Sequence, residues 1–156
     1  MTKNEILMHM REKGKTDALD LRNRAPKMDG TAIIAEEDKV PKYDAQKDYR
    51  GWDVGSPGGE EVDGERQVFT LLQPHNAAQY PGSKPSTTRA LWSLTHTKDP
   101  AKAKPWVASL GISGMYMVDE VCTRAGHVWR STQNNNSHEP GVIGTESFWD
   151  DLGEIA

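Results

Sequence analysis

The chain has 156 residues, enough for one ordinary domain or two very small ones. Hydrophobic residues make up 35% and charged residues 27%, which is polar but leaves enough apolar side chains for a folded core. The net charge of -4 argues against a nucleic-acid-binding protein that neutralises phosphates. No apolar run approaches the roughly 20 residues that span a bilayer, so no membrane partner is predicted. The single cysteine, Cys122, excludes an intrachain disulfide scaffold and a multi-cysteine zinc site, and a buried, inert thiol is expected there.

The N-terminal segment lacks aromatic residues, since all five Trp, four Tyr and both Phe lie at or after Tyr43. A segment without aromatics has little from which to build its own core. We interpret residues 1–42 as an N-terminal arm and linker that orders only against a partner, another copy or the rest of the chain. Residues 28–42, with an acidic run and Pro41, are predicted to be the linker. The charged start has no apolar stretch of the kind found in secretory signals, and none is predicted.

The arm is predicted to be short helices or extended chain. Residues 4–11 favour about two helical turns with Ile6, Leu7 and Met10 on one face, and these three are the predicted docking residues. Gly14 is predicted to end this helix, and a second short helix would run to Arg24. Isolated helices of this length are marginal in water.

An internal repeat follows the arm. Matching residue pairs recur at offsets of 60, then 59, then 57, and upstream at 64, as small loop insertions and deletions would produce. The pairs are Val68-Phe69 with Val128-Trp129, Pro81-Gly82 with Pro140-Gly141, Leu91-Trp92 with Phe148-Trp149, and Trp52-Asp53-Val54 with Tyr116-Met117-Val118.

Two modules are predicted from this repeat, residues 43–97 and 104–156. Each has an aromatic-bearing strand, a turn, a second strand with period-2 alternation, a Pro/Gly-containing loop and a closing apolar-Trp pair. The expected fold class is therefore mainly β, with two small antiparallel three-stranded β modules behind the arm. Most of the aromatics are expected to be structural, because modules of about 50 residues without disulfides or metals need large side chains in their cores.

The sequence pattern predicts no enzymatic site. Acidic residues occur as adjacent pairs in predicted loops, whereas a glycosidase needs two carboxylates on opposite sides of a cleft. The five histidines show no metal-ligand spacing, and no glycine-rich phosphate loop is present. The sequence therefore predicts no catalytic residues, no metal and no cofactor.

The module pattern resembles carbohydrate-binding module families 5 and 12, the small chitin-binding modules of bacterial chitinases. The residues that carry the resemblance in the first copy are Gln73-Pro74-His75, Tyr80, Pro85-Ser86 and Ala90-Leu91-Trp92. Those of the second copy are Trp106, Tyr116, Val121, Gly126, Trp129, Pro140 and Trp149. Together the matches span about 110 residues.

The resemblance implies polysaccharide binding through an exposed aromatic just before the loop proline. That position falls on Tyr80 in the first copy and on His138 in the second, so Tyr replaces the commoner Trp in the first copy and His replaces it in the second. An aromatic ring packs against the apolar face of a pyranose, while nearby amides or imidazoles bond its hydroxyls. The candidate polar partners are Gln73, His75 and Asn76 beside Tyr80, and Gln133 and the run from Asn134 to Asn136 near His138.

Tandem modules behind a short arm also resemble small proteins from bacteriophage and prophage tail gene clusters, on the stretches YRGWDV to PHNAAQYPG and DPAKAKPW. This implies a protein of the virion surface, made in the host cytoplasm, that contacts host-surface glycans. Its arm would dock on other virion proteins or form a homo-oligomer. The alternative from another class is a structural or decoration protein that keeps the modules without sugar binding.

Overall fold

The computed structural model describes residues 2–111 and 113–156. Two helices, α1 (Lys3–Arg24) and α2 (Gly30–Ala35), precede two β sheets. The first sheet has the order β1 (Pro57–Val62), β2 (Glu65–Leu71), β3 (Trp92–Leu94). The second has the order β4 (Lys104–Pro105), β5 (Val121–Arg124), β6 (His127–Ser131), β7 (Trp149–Glu154). Helix and strand contents are about equal, so the predicted mainly β class holds only loosely, and the second sheet has four strands instead of three.

Helix α1 is one continuous helix of 22 residues, and the predicted break at Gly14 is wrong. Its N-terminus carries a reciprocal capping box, in which the Thr2 hydroxyl accepts from the Glu5 N–H and the Glu5 carboxylate accepts from the Thr2 N–H. A glycine costs a helix about 1 kcal/mol, which does not end it where capping and packing favour continuation. The i,i+4 ion pair of Lys13 and Asp17, at 3.0 Å, spans the glycine and supports the helix there. No helix among the described residues is long and apolar enough to cross a membrane.

The C-terminal end of α1 packs into a core with the segment predicted to be a linker. Leu21 of α1, Ala25 directly after it, Ile33 and Ile34 of α2, and Val40 form one buried cluster with Val68 of β2. The Arg24 guanidinium also makes two bonds to the Glu36 carboxylate, at 2.8 and 2.9 Å. Residues 28–42 are thus folded against the first sheet, because the aliphatic side chains of Ile33, Ile34 and Val40 supply the core that aromatics do not.

The two sheets close in the same way. Leu71 of β2 pairs with Trp92 of β3, and Ser131 of β6 pairs with Trp149 of β7, at positions separated by 60 and 57 residues. Each sheet also begins with a parallel segment. The Tyr43 N–H donates to the Gly59 carbonyl at 2.8 Å in the first, as the Trp106 N–H donates to the Thr123 carbonyl at 2.9 Å in the second.

A tyrosine packs edge-on against each closing tryptophan. Tyr49 lies 5.3 Å from Trp92 and Tyr116 lies 5.2 Å from Trp149, between ring centroids. Tyr116 therefore corresponds in space to Tyr49. The sequence offset of 64 had paired Tyr116 with Trp52, and that pairing is not the structural one. The first module has three more residues between this tyrosine and the turn before the hairpin, because Asp53 and Met117 still occupy equivalent turn positions.

Direct contacts join the two sheets. The buried Gln67 side chain of β2 donates to the Pro105 carbonyl of β4 at 3.0 Å. The Val121 N–H of β5 donates to the carbonyl of Thr97, in the segment that leaves β3, at 2.8 Å. The same segment receives α2, since the Lys98 N–H donates to the Thr31 hydroxyl at 2.9 Å. These bonds fix the short connection between the modules.

Candidate functional site

Tyr80 lies on a loop built by local hydrogen bonds. The Asn76 side chain caps the 3-10 helix Ala77–Gln79 by accepting from the Ala78 N–H at 3.2 Å. Tyr80 follows this helix, and its carbonyl accepts from the Ser83 N–H at 3.0 Å across a turn that contains Gly82 at φ 81°. This geometry leaves the Tyr80 side chain 55% exposed. The first module thus presents one aromatic ring to the surroundings from a defined loop.

The polar residues predicted around Tyr80 divide into exposed and buried ones. Gln73 is exposed, and its amide donates to the Ala90 carbonyl at 3.2 Å, which leaves the amide oxygen for other donors. Asn76 is half-buried and uses its oxygen in the cap. His75 is only 6% exposed and meets Tyr80 edge-on, with ring centroids 6.3 Å apart. Its ring also contacts Trp92, so it supports Tyr80 from the core side.

His138 is held differently in the second module. Its ring stacks on Phe148 with centroids 3.8 Å apart and planes 27° apart. Its N–H donates to the Asn136 side chain at 3.1 Å, the same cap that Asn76 gives to Ala78. His138 therefore corresponds to Ala78 and not to Tyr80, because the second loop is one residue shorter before its proline.

The amides near His138 lie on the same turn. Gln133 and Asn134 are exposed, whereas Asn136 is completely buried. The Asn134 side-chain oxygen accepts from the Val118 N–H at 3.0 Å, and the Gln133 carbonyl accepts from the Ser131 hydroxyl at 2.8 Å. The Gln133 side chain is therefore exposed on the turn, whereas the side chains of Asn134 and Asn136 make hydrogen bonds within the fold.

A groove beside the second sheet was missed by sequence reasoning. It has a volume of about 380 Å³ and is lined by Trp129 and Trp149 together with Val142 and Ile143. Ile143 is 96% exposed, and Trp129 is half-buried although its counterpart Phe69 is fully buried. The pairing of β6 with β7 shifts register between Val128 and Trp129, an irregularity that the first sheet lacks. Two adjacent apolar residues in a Pro/Gly loop, Val142 and Ile143, were the available signal.

The carboxylates of this groove are held ionised. The Asp151 carboxylate bonds to the His127 ring at 2.9 Å and to the Gly153 N–H, and these bonds lower its pKa. Backbone N–H donors likewise lower the pKa of Glu146. Both groups act as hydrogen-bond acceptors at neutral pH, and neither has the raised pKa that a general acid needs.

The predicted docking residues occupy an exposed stretch of α1. Ile6, Leu7 and Met10 are all exposed, as is every residue of α1 before Asp17. The first side chain of α1 to be fully buried is Leu21. At 1.5 Å per residue, about 20 Å of helix extends from the body. With Met8, which is also exposed, four neighbouring apolar side chains are left uncovered on it.

The lone cysteine lies in the core of the second sheet. Cys122 is fully buried next to Tyr116 and Trp149, and burial raises the pKa of its thiol to about 12. A thiol in this environment stays protonated and unreactive at neutral pH.

No protein-family model matches the chain, and no curated protein matches it either.

Proposed function

We propose that this chain is a non-catalytic carbohydrate-binding protein of a bacteriophage particle, which contacts host-surface polysaccharide through exposed aromatic side chains. The observation that carries the proposal is the exposure of Tyr80 on a braced loop, beside the exposed amide of Gln73. An aromatic residue needed only for the core would be covered, as Tyr49, Phe69 and Trp92 are.

The Tyr80 ring suits a pyranose because it offers an apolar plate with polar groups at its edge. The axial C–H groups of the sugar pack on the ring, while the Tyr80 hydroxyl, Gln73 and Asn76 bond the hydroxyls around it. A ring braced by His75 loses little conformational entropy on binding. Such a contact is weak alone, and many copies on one particle would supply the avidity that adhesion needs.

The groove of the second module adds a second contact surface. Half-buried Trp129 and exposed Ile143 provide apolar area, and the Asp151 and Glu146 carboxylates provide acceptors for sugar hydroxyls. This surface replaces His138, whose ring is partly covered by Phe148, as the more suitable sugar-contacting part of the second copy.

The arm serves attachment in this proposal. Other virion proteins, or a second copy of the chain, cover Ile6, Leu7 and Met10 and anchor the modules to the particle. The second candidate function is a structural or decoration virion protein without sugar affinity. The exposed stretch of α1 supports the sugar-binding role and the structural role equally, because both require the arm to dock on another protein or a second copy.

Retention on insoluble polysaccharide separates the two functions. Purified protein is mixed with chitin, cellulose and bacterial cell walls, beside Tyr80→Ala and the control Leu110→Ala, which truncates a 52% exposed side chain elsewhere. The adhesin role predicts retention on at least one material, several-fold lower for Tyr80→Ala and unchanged for Leu110→Ala. No retention of a multivalent preparation on any of them would favour the structural role.

A further inference from the structure

A cavity lies at the junction of the two modules and α2. It encloses about 500 Å³, within the usual range for small-molecule sites. Its walls come from the N-terminal end of α2, the ends of β2 and β3, the segment leaving β3 and the turn before β5. We call it the junction cavity. None of the residues predicted from the sequence to bind carbohydrate lines it.

The lining is rich in hydroxyl groups. Thr31, Thr70, Ser93 and Thr95 all line the cavity. Thr70 of β2 and Ser93 of β3 are cross-strand partners, and both side chains are half-buried. A hydroxyl on the wall of a partly open cavity can both donate a hydrogen bond to a ligand hydroxyl and accept one from it.

Two titratable groups complete the polar lining. The His96 Nε2 donates to the Gly114 carbonyl at 2.8 Å, so Nδ1 of the neutral ring is an acceptor. Burial lowers the pKa of His96 to about 4 and raises the pKa of Glu120 to about 7. Near neutral pH the Glu120 carboxyl therefore both accepts and donates hydrogen bonds.

The remaining lining narrows the class of ligand. The lining carries two acidic side chains, Asp29 and Glu120, and one basic side chain, Lys98. This charge balance disfavours phosphates and other anions. The hydroxyls disfavour a purely apolar ligand, since it would leave them unpaired. Met28, Leu94 and Met115 add apolar side chains to the lining. A molecule with hydroxyl edges and an apolar face fits this combination.

We propose that the junction cavity binds one or two rings of a neutral saccharide, as a site separate from the Tyr80 surface. The ligand class rests on the proposed function, whereas the site does not. The junction cavity encloses short soluble sugars, and the Tyr80 surface contacts extended polysaccharide chains. Hydrogen bonds between Gln67 and Pro105 and between Lys98 and Thr31 hold the walls in place before binding.

The test is an NMR titration with the soluble disaccharides chitobiose and cellobiose, comparing wild type with Thr70→Val and Tyr80→Ala. Valine keeps the shape of threonine, favours strands and removes only the hydroxyl of half-buried Thr70, so Thr70→Val is expected to stay folded. One disaccharide should shift the amide signals of residues 93–98 and 114–120. Thr70→Val should weaken its binding about tenfold, the equivalent of one lost hydrogen bond. Tyr80→Ala should leave that affinity within twofold.

Three outcomes would overturn the inference. They are absence of shifts at these residues with both disaccharides, shifts confined to the loop around Tyr80, and an unchanged affinity in folded Thr70→Val. Failure of the proposed function is recognised separately. In that case insoluble polysaccharide retains neither wild type nor variants, whatever the disaccharides do in the junction cavity.

Discussion

The imidazole of His96 lies flat against the phenol ring of Tyr116, with ring centroids 3.7 Å apart and planes 19° apart. His96 belongs to the segment that leaves the first sheet, and Tyr116 belongs to the core of the second. The stack is therefore a direct aromatic contact between the modules. His96 also lines the junction cavity, and its carbonyl oxygen lies against Gly30 at the N-terminal end of α2.

The approach of α2 to this segment requires a glycine. A Cβ added at Gly30 would lie 2.1 Å from the His96 carbonyl oxygen, and backbone would have to move to relieve the clash. We expect Gly30→Ala to lower the free energy of unfolding by about 2 kcal/mol or more, as overpacking does. Chemical denaturation monitored by tryptophan fluorescence measures the change.

Gly14→Ala is the matched control for that substitution. Gly14 lies in the exposed part of α1, and a Cβ there would meet no atom within 4 Å. Alanine should raise helicity in the far-UV spectrum and stabilise α1 by about 0.5–1 kcal/mol. Equal effects of the two substitutions would show that α2 does not pack on the His96 segment as described.

Stability should depend on pH through Glu120. Its pKa is 4.5 in the unfolded chain and about 7 in the folded protein, so the folded state holds more protons between these values. The favourable contribution is complete below pH 4.5 and is lost as pH rises through 7. Relative to wild type, Glu120→Gln should therefore gain about 2 kcal/mol between pH 4.5 and 8, measured by denaturation across that range.

His96 acts in the opposite direction. Burial lowers its pKa from 6.5 to about 4, so its contribution is complete above pH 6.5 and is lost as pH falls through 4. In Glu120→Gln this acid-side loss should be visible without the opposing effect of Glu120. A difference between Glu120→Gln and wild type that is independent of pH would contradict the burial of Glu120.

Asn136 and Asn76 make the same cap with very different burial. The Asn136 amide is completely buried and also donates to the Ser131 hydroxyl at 3.0 Å and to the Phe148 carbonyl at 2.8 Å. Asn136→Ala should cost about 3 kcal/mol, because it leaves buried polar groups unpaired. Asn76→Ala should cost about 1 kcal/mol, the usual value of a cap. Thermal unfolding of the two variants tests this order, and a reversed order would refute it.

The exposed part of α1 should be dispensable for folding. Deletion of residues 2–15 removes no buried side chain, so the unfolding temperature should change little. In contrast, Leu21→Ala should cost about 2–4 kcal/mol, since Leu21 is fully buried against Ile34 and Val68. Docking through the arm further predicts that the deletion abolishes higher-mass assembly, measured by light scattering of purified protein. Unfolding of the deleted chain would contradict this division of α1.

Part of the fold follows directly from sequence patterns. The period-2 alternation in β2 predicts a strand, because this period is typical of strands. Trp92 and Trp149 predict the closing strands, because large aromatic residues are enriched in short strands. The continuous α1 was not predicted, because glycine preference is a local cost that distant packing of Leu21 outweighs. The packing of α2 was missed for a related reason, since Ile33 and Ile34 look like any two aliphatic residues until the facing Val68 is known.

The candidate sites divide in the same way. A loop aromatic outside the alternation, Tyr80, is recognisable from sequence because nothing in the strand pattern requires it. The junction cavity is not, because Thr95, His96 and Glu120 come together only through contacts between the modules. The groove at Trp129 depends on a register shift in β7, which no residue pattern specifies.

The most direct test of the account is a graded series at Tyr80, measured as retention on the polysaccharide that binds wild type best. A stacking platform predicts the order Tyr80→Trp above wild type, Tyr80→Phe close to wild type, and Tyr80→Ala several-fold lower, with Leu110→Ala unchanged. All variants should unfold at the wild-type temperature because Tyr80 is exposed. Equal retention across the series would contradict the claim that this ring binds sugar.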